Sequence, residues 1–217
     1  EVNKENLAGV LSLLKERETT FFYSDFNFLS AHKGHRPGNL HLYIGVAHGG
    51  KSTLIRSLIL DALRKVQKNK KVVIWLSEET EQDFLIEFSM AMKFFDQTDA
   101  ILLYKKLRIY SEMNLSKHFK NESLTQKFNY FVNEINKEDV DIVFFDNVTT
   151  SEFYMDQDIE TQSYFIKQLK EKTGAAKVPM VLVAHTGADI TENSHRLISM
   201  NDIRGCKSII NLVQYCY

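Results

Sequence analysis

The sequence predicts an α/β fold in which a mainly parallel central β-sheet carries helices on both faces. Short uninterrupted apolar runs alternate with segments whose apolar residues recur every three or four positions. Strands that are apolar on both faces are typical of parallel sheets covered by helices on both sides. The 217 residues include only 2 prolines and 9 glycines, which leaves little sequence for long loops.

Composition excludes several classes of protein. With 44% hydrophobic residues, 25% charged residues and a net charge of −1, the chain can form a core and is not disordered. Apolar runs such as residues 72–76 are too short to cross a bilayer, so no membrane partner is predicted. Cys206 and Cys216 cannot build a disulfide framework, which predicts a cytoplasmic protein. The chain does not begin with Met, so we expect a processed or excised piece.

The apolar spacing divides the chain into two parts. An amphipathic helix is predicted within residues 1–24, because Leu7, Val10, Leu11 and Leu14 fall on one helical face. The remaining residues, 25–217, form the globular domain.

Within that domain, strands and helices alternate. Strands are predicted at residues 40–44, 72–76, 107–110, 142–145 and 180–184, with another beginning at 213. Helices are predicted at residues 52–66, 124–135 and 159–169, and through Leu85, Phe88, Met92 and Phe95. In open parallel sheets the active site lies beyond the carboxyl ends of the strands. The residues at those ends are Gly45, Ser77-Glu78-Glu79, Asp146-Asn147 and His185-Thr186.

The loop after the first predicted strand fits the pattern G-x-x-x-x-G-K-[ST]. It consists of Gly45, Val46, Ala47, His48, Gly49, Gly50, Lys51 and Ser52, and Thr53 follows it. Such a loop turns successive N–H groups toward a polyphosphate, and the next helix adds its N-terminal positive charge. In this pattern Lys51 reaches the β- and γ-phosphates, and the Ser52 hydroxyl binds Mg²⁺. A strand before and a helix after the loop favour this interpretation over a chance glycine turn.

A phosphate loop requires a carboxylate that helps to hold Mg²⁺ at the end of a buried strand. Asp146 is predicted to be that carboxylate, and the alternative is an Asp that caps the following loop. Glu78 is the preferred candidate to orient and deprotonate an attacking water, with Glu79 as the second candidate. The alternative for both glutamates is the acidic first turn of a helix.

His185 ends the strand at residues 180–184. It is a candidate to hydrogen-bond the γ-phosphate and report its loss. The alternative is a structural histidine at the sheet edge.

These residues resemble the RecA-like ATPase superfamily, in particular its DnaB/KaiC/RadA-type branch, from about Phe26 onward. Four segments carry the resemblance besides the phosphate loop. They are residues 25–40 before the loop, Trp75-Leu76-Ser77-Glu78-Glu79-Thr80, Val183-Ala184-His185-Thr186-Gly187, and Asp202-Ile203-Arg204-Gly205-Cys206-Lys207-Ser208-Ile209. The last is similar to the Asp-Leu-Arg-Gly-Ser stretch of replicative helicases, although Cys206 stands where those proteins usually carry Ser.

The resemblance implies a RecA-like P-loop core that hydrolyses ATP with Mg²⁺ at the subunit interfaces of a ring-like homo-oligomer, a hexamer. It implies that the leading helix is a linker that docks on the neighbouring subunit. It also implies an arginine finger on a strand beyond the end of the sequence, so we expect a truncated core. Arg204 and Arg196 are the arginines that remain near that end of the sheet.

Three functions stay open. One is a replicative-helicase-type motor on single-stranded DNA, another is a KaiC-like or accessory ATPase that drives a protein switch, and the third is a nucleotide-binding module with little hydrolysis. Residues 202–209 favour the motor. The loop after Asp146 is acidic, whereas a loop that grips a phosphate backbone should be basic. Basic clusters occur instead at residues 64–71 and 105–108, either as solvated ends or as a DNA patch.

Overall fold

The computed structural model describes residues 25–30, 34–46, 49–93, 95–119, 122–187, 198–205 and 208–217. Within these residues a central sheet of six strands forms, and each neighbouring pair of strands is parallel. The strands are β1 (Leu40–Gly45), β2 (Lys71–Leu76), β3 (Leu107–Ser111), β4 (Val140–Asp146), β5 (Met180–His185) and β6 (Tyr215–Cys216). Their order across the sheet is β3-β2-β4-β5-β1-β6. The predicted fold class is therefore confirmed, while the predicted helix within residues 1–24 lies outside the described residues.

Helices connect the strands and cover both faces of the sheet. The described helices are α1 (Asn27–Ser30), α2 (Lys51–Lys65), α3 (Glu81–Met92), α4 (Gln97–Lys106), α5 (Glu112–His118), α6 (Leu124–Ile135), α7 (Ile159–Ala176) and α8 (Ser208–Leu212). A short 3₁₀ helix spans Met200–Asp202. Among the described residues, no helix is long and apolar enough to cross a membrane.

Alternate residues of each central strand enter two separate apolar layers. On β4, Val143 and Phe145 pack in the layer under α6, α7 and α8, while Ile142 and Phe144 pack in the layer under α2, α3 and α4. Successive strand side chains point to opposite faces, so a strand buried on both sides reads as a continuous apolar run. This explains why the sequence located these strands so well.

The helices differ from prediction in three places. On α3 the buried face consists of Phe84, Phe88 and Met92, whereas Leu85 is 37% exposed, so the predicted face was wrong by one residue. The helix also ends at Met92, before Phe95. Helices α4 and α5 were not predicted at all. Conversely, α7 continues to Ala176, well past the predicted end at residue 169.

The basic clusters lie at the amino ends of β2 and β3, the edge of the sheet opposite the predicted site. Lys106 donates to the backbone carbonyls of Leu63 and Val66 at the end of α2, at 3.4 and 3.0 Å. Arg108 forms an ion pair with Asp139 at 2.7 Å. These contacts give several of the cluster side chains structural partners.

We expect Gly205→Ala to destabilise the fold and Gly174→Ala to be tolerated. Gly205 has a φ of +90°, and a Cβ there would lie 2.5 Å from Cε1 of buried Tyr154. Gly174 lies within α7, and its Cβ would make only an ordinary contact, 3.9 Å from the carbonyl oxygen of Gly38. Strain and overpacking predict a loss of about 2 kcal/mol or more for Gly205→Ala. Gly174→Ala should be neutral or gain up to about 1 kcal/mol.

Urea unfolding of both variants beside the wild type measures these effects. Equal stability of the two variants would contradict the described packing of Gly205 on Tyr154.

Candidate active site

The four strands with predicted site residues are neighbours in the sheet, in the order β2-β4-β5-β1. Backbone hydrogen bonds join their carboxyl ends, from Ser77 N–H to the Asp146 carbonyl at 2.9 Å and from Thr186 N–H to the Gly45 carbonyl at 3.3 Å. Gly45 and His185 are also a register pair between β1 and β5. The structure therefore brings the predicted strand-end residues to one edge.

The phosphate loop joins β1 to α2. Gly50 is the residue before α2 and adopts the left-handed conformation, φ 80° and ψ 10°, which glycine reaches without strain. No described side chain caps the start of α2, so its first-turn N–H groups are available to an anion. This open helix start fits a phosphate group. Ala47 and His48 lie outside the described residues.

Lys51 curls back over its own loop. Its Nζ donates to the carbonyl oxygens of Gly45 at 2.9 Å and Val46 at 2.5 Å. Burial lowers the pKa of Lys51, and the negative charges of Asp146 and Glu78 oppose that shift. The ammonium group is thus placed between the loop backbone and the acidic strand ends.

Asp146 is the last residue of β4, and its peptide bond to Asn147 is cis. Burial, followed by the charges of Glu78 and Glu79, raises the pKa of Asp146 to about 7. A carboxylate so destabilised gains from a nearby divalent cation. A carboxylate at Asp146 and a hydroxyl at Ser52 are oxygen ligands of the kind that Mg²⁺ prefers, so the residues present fit this ion.

The described residues contain no cluster of three or more His, Cys, Asp or Glu side chains that could hold a metal ion. This agrees with a magnesium ion bound through few protein groups, because Mg²⁺ usually takes its other ligands from water and substrate phosphates.

Glu78 and Glu79 point to different partners, as the alternation after a strand predicts. Glu78 Oε1 lies 2.9 Å from His185 Nε2, and its side chain is 47% exposed. The hydrogen bond with His185 is the main cause of a lowered pKa for Glu78, and a hydrogen bond from Thr150 adds to it. Glu78 is therefore an ionised and accessible carboxylate at the site edge.

Glu79 is held by Arg56 of α2. Its carboxylate oxygens lie 3.0 and 3.2 Å from Arg56 Nη2, and Arg56 Nη1 binds Glu87 at 2.7 Å. The alternative of an acidic first helix turn is wrong for Glu78 and Glu79, because α3 begins at Glu81 behind its N-cap, Thr80. Sequence reasoning missed Arg56. Its position one helical turn after Ser52 was the available signal.

A network of side-chain hydroxyls joins the ends of β2, β4 and β5. Ser77 Oγ donates to the Asn147 carbonyl at 2.8 Å, accepts from Asn147 N–H at 2.9 Å and lies 2.8 Å from Thr150 Oγ1. Thr149 Oγ1 donates to Asn147 Oδ1 at 2.7 Å and accepts from His185 N–H at 3.0 Å. Asn147, predicted as a secondary site residue, is buried in this network. The run Thr149-Thr150-Ser151 was the signal that sequence reasoning did not use.

Residues 202–204 lie beside the end of β5. The His185 carbonyl accepts from Arg204 N–H at 3.0 Å, and the Asp202 carbonyl accepts from Gly187 N–H at 2.7 Å. Thr186 and Ile203 form an antiparallel bridge between these segments. The segment similar to helicases is thus hydrogen-bonded to the strand that carries His185. Arg204 itself is exposed, and Arg196 lies outside the described residues.

The acidic loop after Asp146 packs into the core. Phe153 and Tyr154 are 2% and 1% exposed, and Glu152 forms an ion pair with Lys127 at 2.6 Å. The described part of this loop is a folded turn and does not present a basic surface.

Comparisons with known proteins agree with this geometry. A family model described as an AAA domain matches residues 30–189, more than half of the chain. A solved structure of the ATPase domain of a DnaB-like helicase is similar to this chain, with a TM-score of 0.67 at 12% sequence identity. The similarity covers 100% of this chain and 82% of that one. No curated protein matches the sequence. These findings confirm the predicted resemblance to RecA-like P-loop ATPases of the DnaB type.

The raised pKa of Asp146 predicts a pH-dependent stability. Its ordinary value is 3.8 and its value in the fold is about 7, so the folded state favours the protonated carboxyl. Stability should fall as pH rises from about 4 to about 7, by at most about 1.4 kcal/mol per pH unit from this group, and then level off.

Asp146→Asn keeps the shape and should remove this contribution. The variant should therefore gain stability relative to the wild type at pH 8, and Mg²⁺ with nucleotide should stabilise it less. Urea unfolding at pH 5 and pH 8 measures both effects. An unchanged pH slope and an unchanged Mg²⁺ response would mean that Asp146 is structural.

The two glutamates should differ in their effect on ATP hydrolysis. Glu78→Gln should lower kcat by about 100-fold or more if Glu78 is the general base, with ATP binding retained. Glu79→Gln should be milder, because Glu79 is bound to Arg56. Phosphate release at saturating ATP compares the variants. Greater damage from Glu79→Gln would reverse the assignment.

Proposed function

The chain belongs to the AAA domain family, and from that membership we propose that it hydrolyses ATP as a helicase-type motor domain acting on single-stranded DNA. The observation that carries the proposal is the convergence of Lys51, Asp146, Glu78 and His185 at one edge of the sheet. A phosphate loop, a carboxylate for the metal ion, an ionised carboxylate and a γ-phosphate sensor are the parts that such hydrolysis needs.

Each residue has a distinct role in this proposal. The loop at residues 45–52 and the start of α2 hold the phosphates of ATP, and Lys51 neutralises charge on the β- and γ-phosphates. Ser52 and Asp146 would hold Mg²⁺, which supplies further neutralisation of the phosphates when bound. Glu78 orients a water molecule and accepts its proton as that water attacks the γ-phosphorus.

His185 links hydrolysis to the rest of the domain. Its Nε2 faces Glu78, whose lowered pKa keeps the carboxylate as an acceptor, so Nε2 carries the proton. We assign the same N–H to the γ-phosphate when ATP is bound. The backbone of His185 is bonded to Thr149 and Arg204, so a shift at His185 reaches both the turn after Asp146 and residues 202–204.

This connection favours the motor. Residues 202–204 lead into and out of the segment similar to replicative helicases, and they are hydrogen-bonded to the sensor strand. Hydrolysis then changes the position of chain segments at that end of the sheet, where DNA is gripped. The active form is a ring-like homo-oligomer, and Arg204 is the exposed described arginine nearest His185 along the hydrogen-bonded backbone.

One observation favours a second function, an accessory ATPase that drives a protein switch without DNA. The turn after Asp146 is acidic and packed, with Phe153 and Tyr154 in the core. Such a turn does not attract a phosphate backbone.

Steady-state ATP hydrolysis with and without single-stranded DNA tests the proposal and separates the two functions. Single-stranded DNA should raise the rate for a motor, and the stimulation should weaken as salt is raised. Lys51→Ala serves as the control and should abolish hydrolysis. Hydrolysis that DNA does not change would support the switch. Full hydrolysis by Lys51→Ala would disprove the assignment of the phosphate loop.

A further inference from the structure

A buried carboxylate lies outside the nucleotide site and has no role in the chemistry above. Glu112 is the first residue of α5, directly after β3, and is only 6% exposed. Burial is the main cause that raises its pKa to about 7. A carboxylate in such a place needs hydrogen-bond donors to offset the loss of water.

Three donors from two other segments meet this carboxylate. Oε1 accepts from Trp75 Nε1 at 2.8 Å and from Ser151 Oγ at 2.6 Å. Oε2 accepts from the backbone N–H of Glu152 at 2.9 Å. Trp75 belongs to β2, while Ser151 and Glu152 belong to the turn after Asp146. Glu112 therefore joins the strand that leads to Glu78 with the turn that follows Asp146.

The neighbouring residue makes a second connection to the site. Ser111 is fully buried, and its Oγ donates to the backbone carbonyl of Glu79 at 2.7 Å. Adjacent residues at the end of β3 thus bind the segments that follow both β2 and β4. Each of those segments carries a carboxylate of the proposed site.

We propose that Glu112 is a positioning residue for ATP hydrolysis, which fixes the turn at residues 147–152 against β2 and so sets Glu78 and Asp146 relative to each other. The inference rests on the proposed function. The path is short. The turn held by Glu112 contains Thr150, which hydrogen-bonds Glu78, and begins at Asn147, next to Asp146.

The bonding pattern requires a carboxylate. One oxygen faces the indole N–H of Trp75 and the other faces the backbone N–H of Glu152. An amide would set its NH₂ group against one of these N–H donors, whichever way it is turned. Glu112→Gln therefore keeps the size of the side chain but breaks one of the two connections.

Glu134→Gln is the matched control. Glu134 is 7% exposed, nearly as buried as Glu112, and its carboxylate binds the hydroxyl of Tyr110 and the ammonium of Lys137. None of these contacts involves the turn at residues 147–152. A merely structural loss should affect both variants alike.

Two measurements on the full chain decide the question. In steady-state assays, Glu112→Gln should lower kcat by about 10-fold or more with the KM for ATP unchanged, because misplaced groups cost rate more than binding. Glu134→Gln should keep the wild-type kcat. In hydrogen-exchange mass spectrometry without nucleotide, the amides of residues 147–152 should exchange faster in Glu112→Gln and at the wild-type rate in Glu134→Gln.

Wild-type exchange in Glu112→Gln, or an equal loss of kcat in both variants, would overturn the proposal. If Glu112→Gln does not fold, Ser151→Ala and Ser111→Ala each remove one hydroxyl donor, and they should change kcat and exchange in the same direction. A wild-type chain that hydrolyses no ATP would disprove the proposed function, while the exchange comparison would still decide whether Glu112 holds the turn.

Discussion

Burial of the central strands on both faces is the constraint on which the rest of this structure depends. Apolar side chains occupy both sides of β2, β4 and β5, so polar groups are accommodated where the strands end. Parallel pairing then places the carboxyl ends of neighbouring strands side by side. The glycine loop, the carboxylates and the histidine meet at one edge because that edge is where this sheet tolerates them.

Charge at this edge is managed by pairing each group with a separate partner. Glu79 is bound by Arg56, Glu78 faces His185, and Lys51 rests on the carbonyls of its own loop. Asp146 is left with a raised pKa, because burial and the two glutamates both oppose its negative charge. The site therefore holds its general base and its metal ligand in different electrostatic states, which suits a reaction that needs one free carboxylate and one that binds a cation.

Rigidity of the site comes from backbone contacts at the second level. The hydroxyls of Ser77 and Thr149 and the carboxylate of Glu112 fix a turn that carries little regular structure of its own. Core packing of Phe153 and Tyr154 holds the far side of the same turn. An acidic loop that looked free in the sequence is thus a structural part of the domain.

Local sequence determined the strands, the phosphate loop and the edge at which the site forms, because each depends on neighbouring residues: continuous apolar runs, glycine spacing and the residue after a strand. It did not determine α4, whose consecutive Ile101 and Leu102 are about half exposed while Leu103 is buried, since no clean helical period marks that face. It did not determine the partners of Glu78 and Glu79 either. Those partners, His185 and Arg56, lie 107 and 23 positions away, and only the packing of α2 and the order of the strands bring them together.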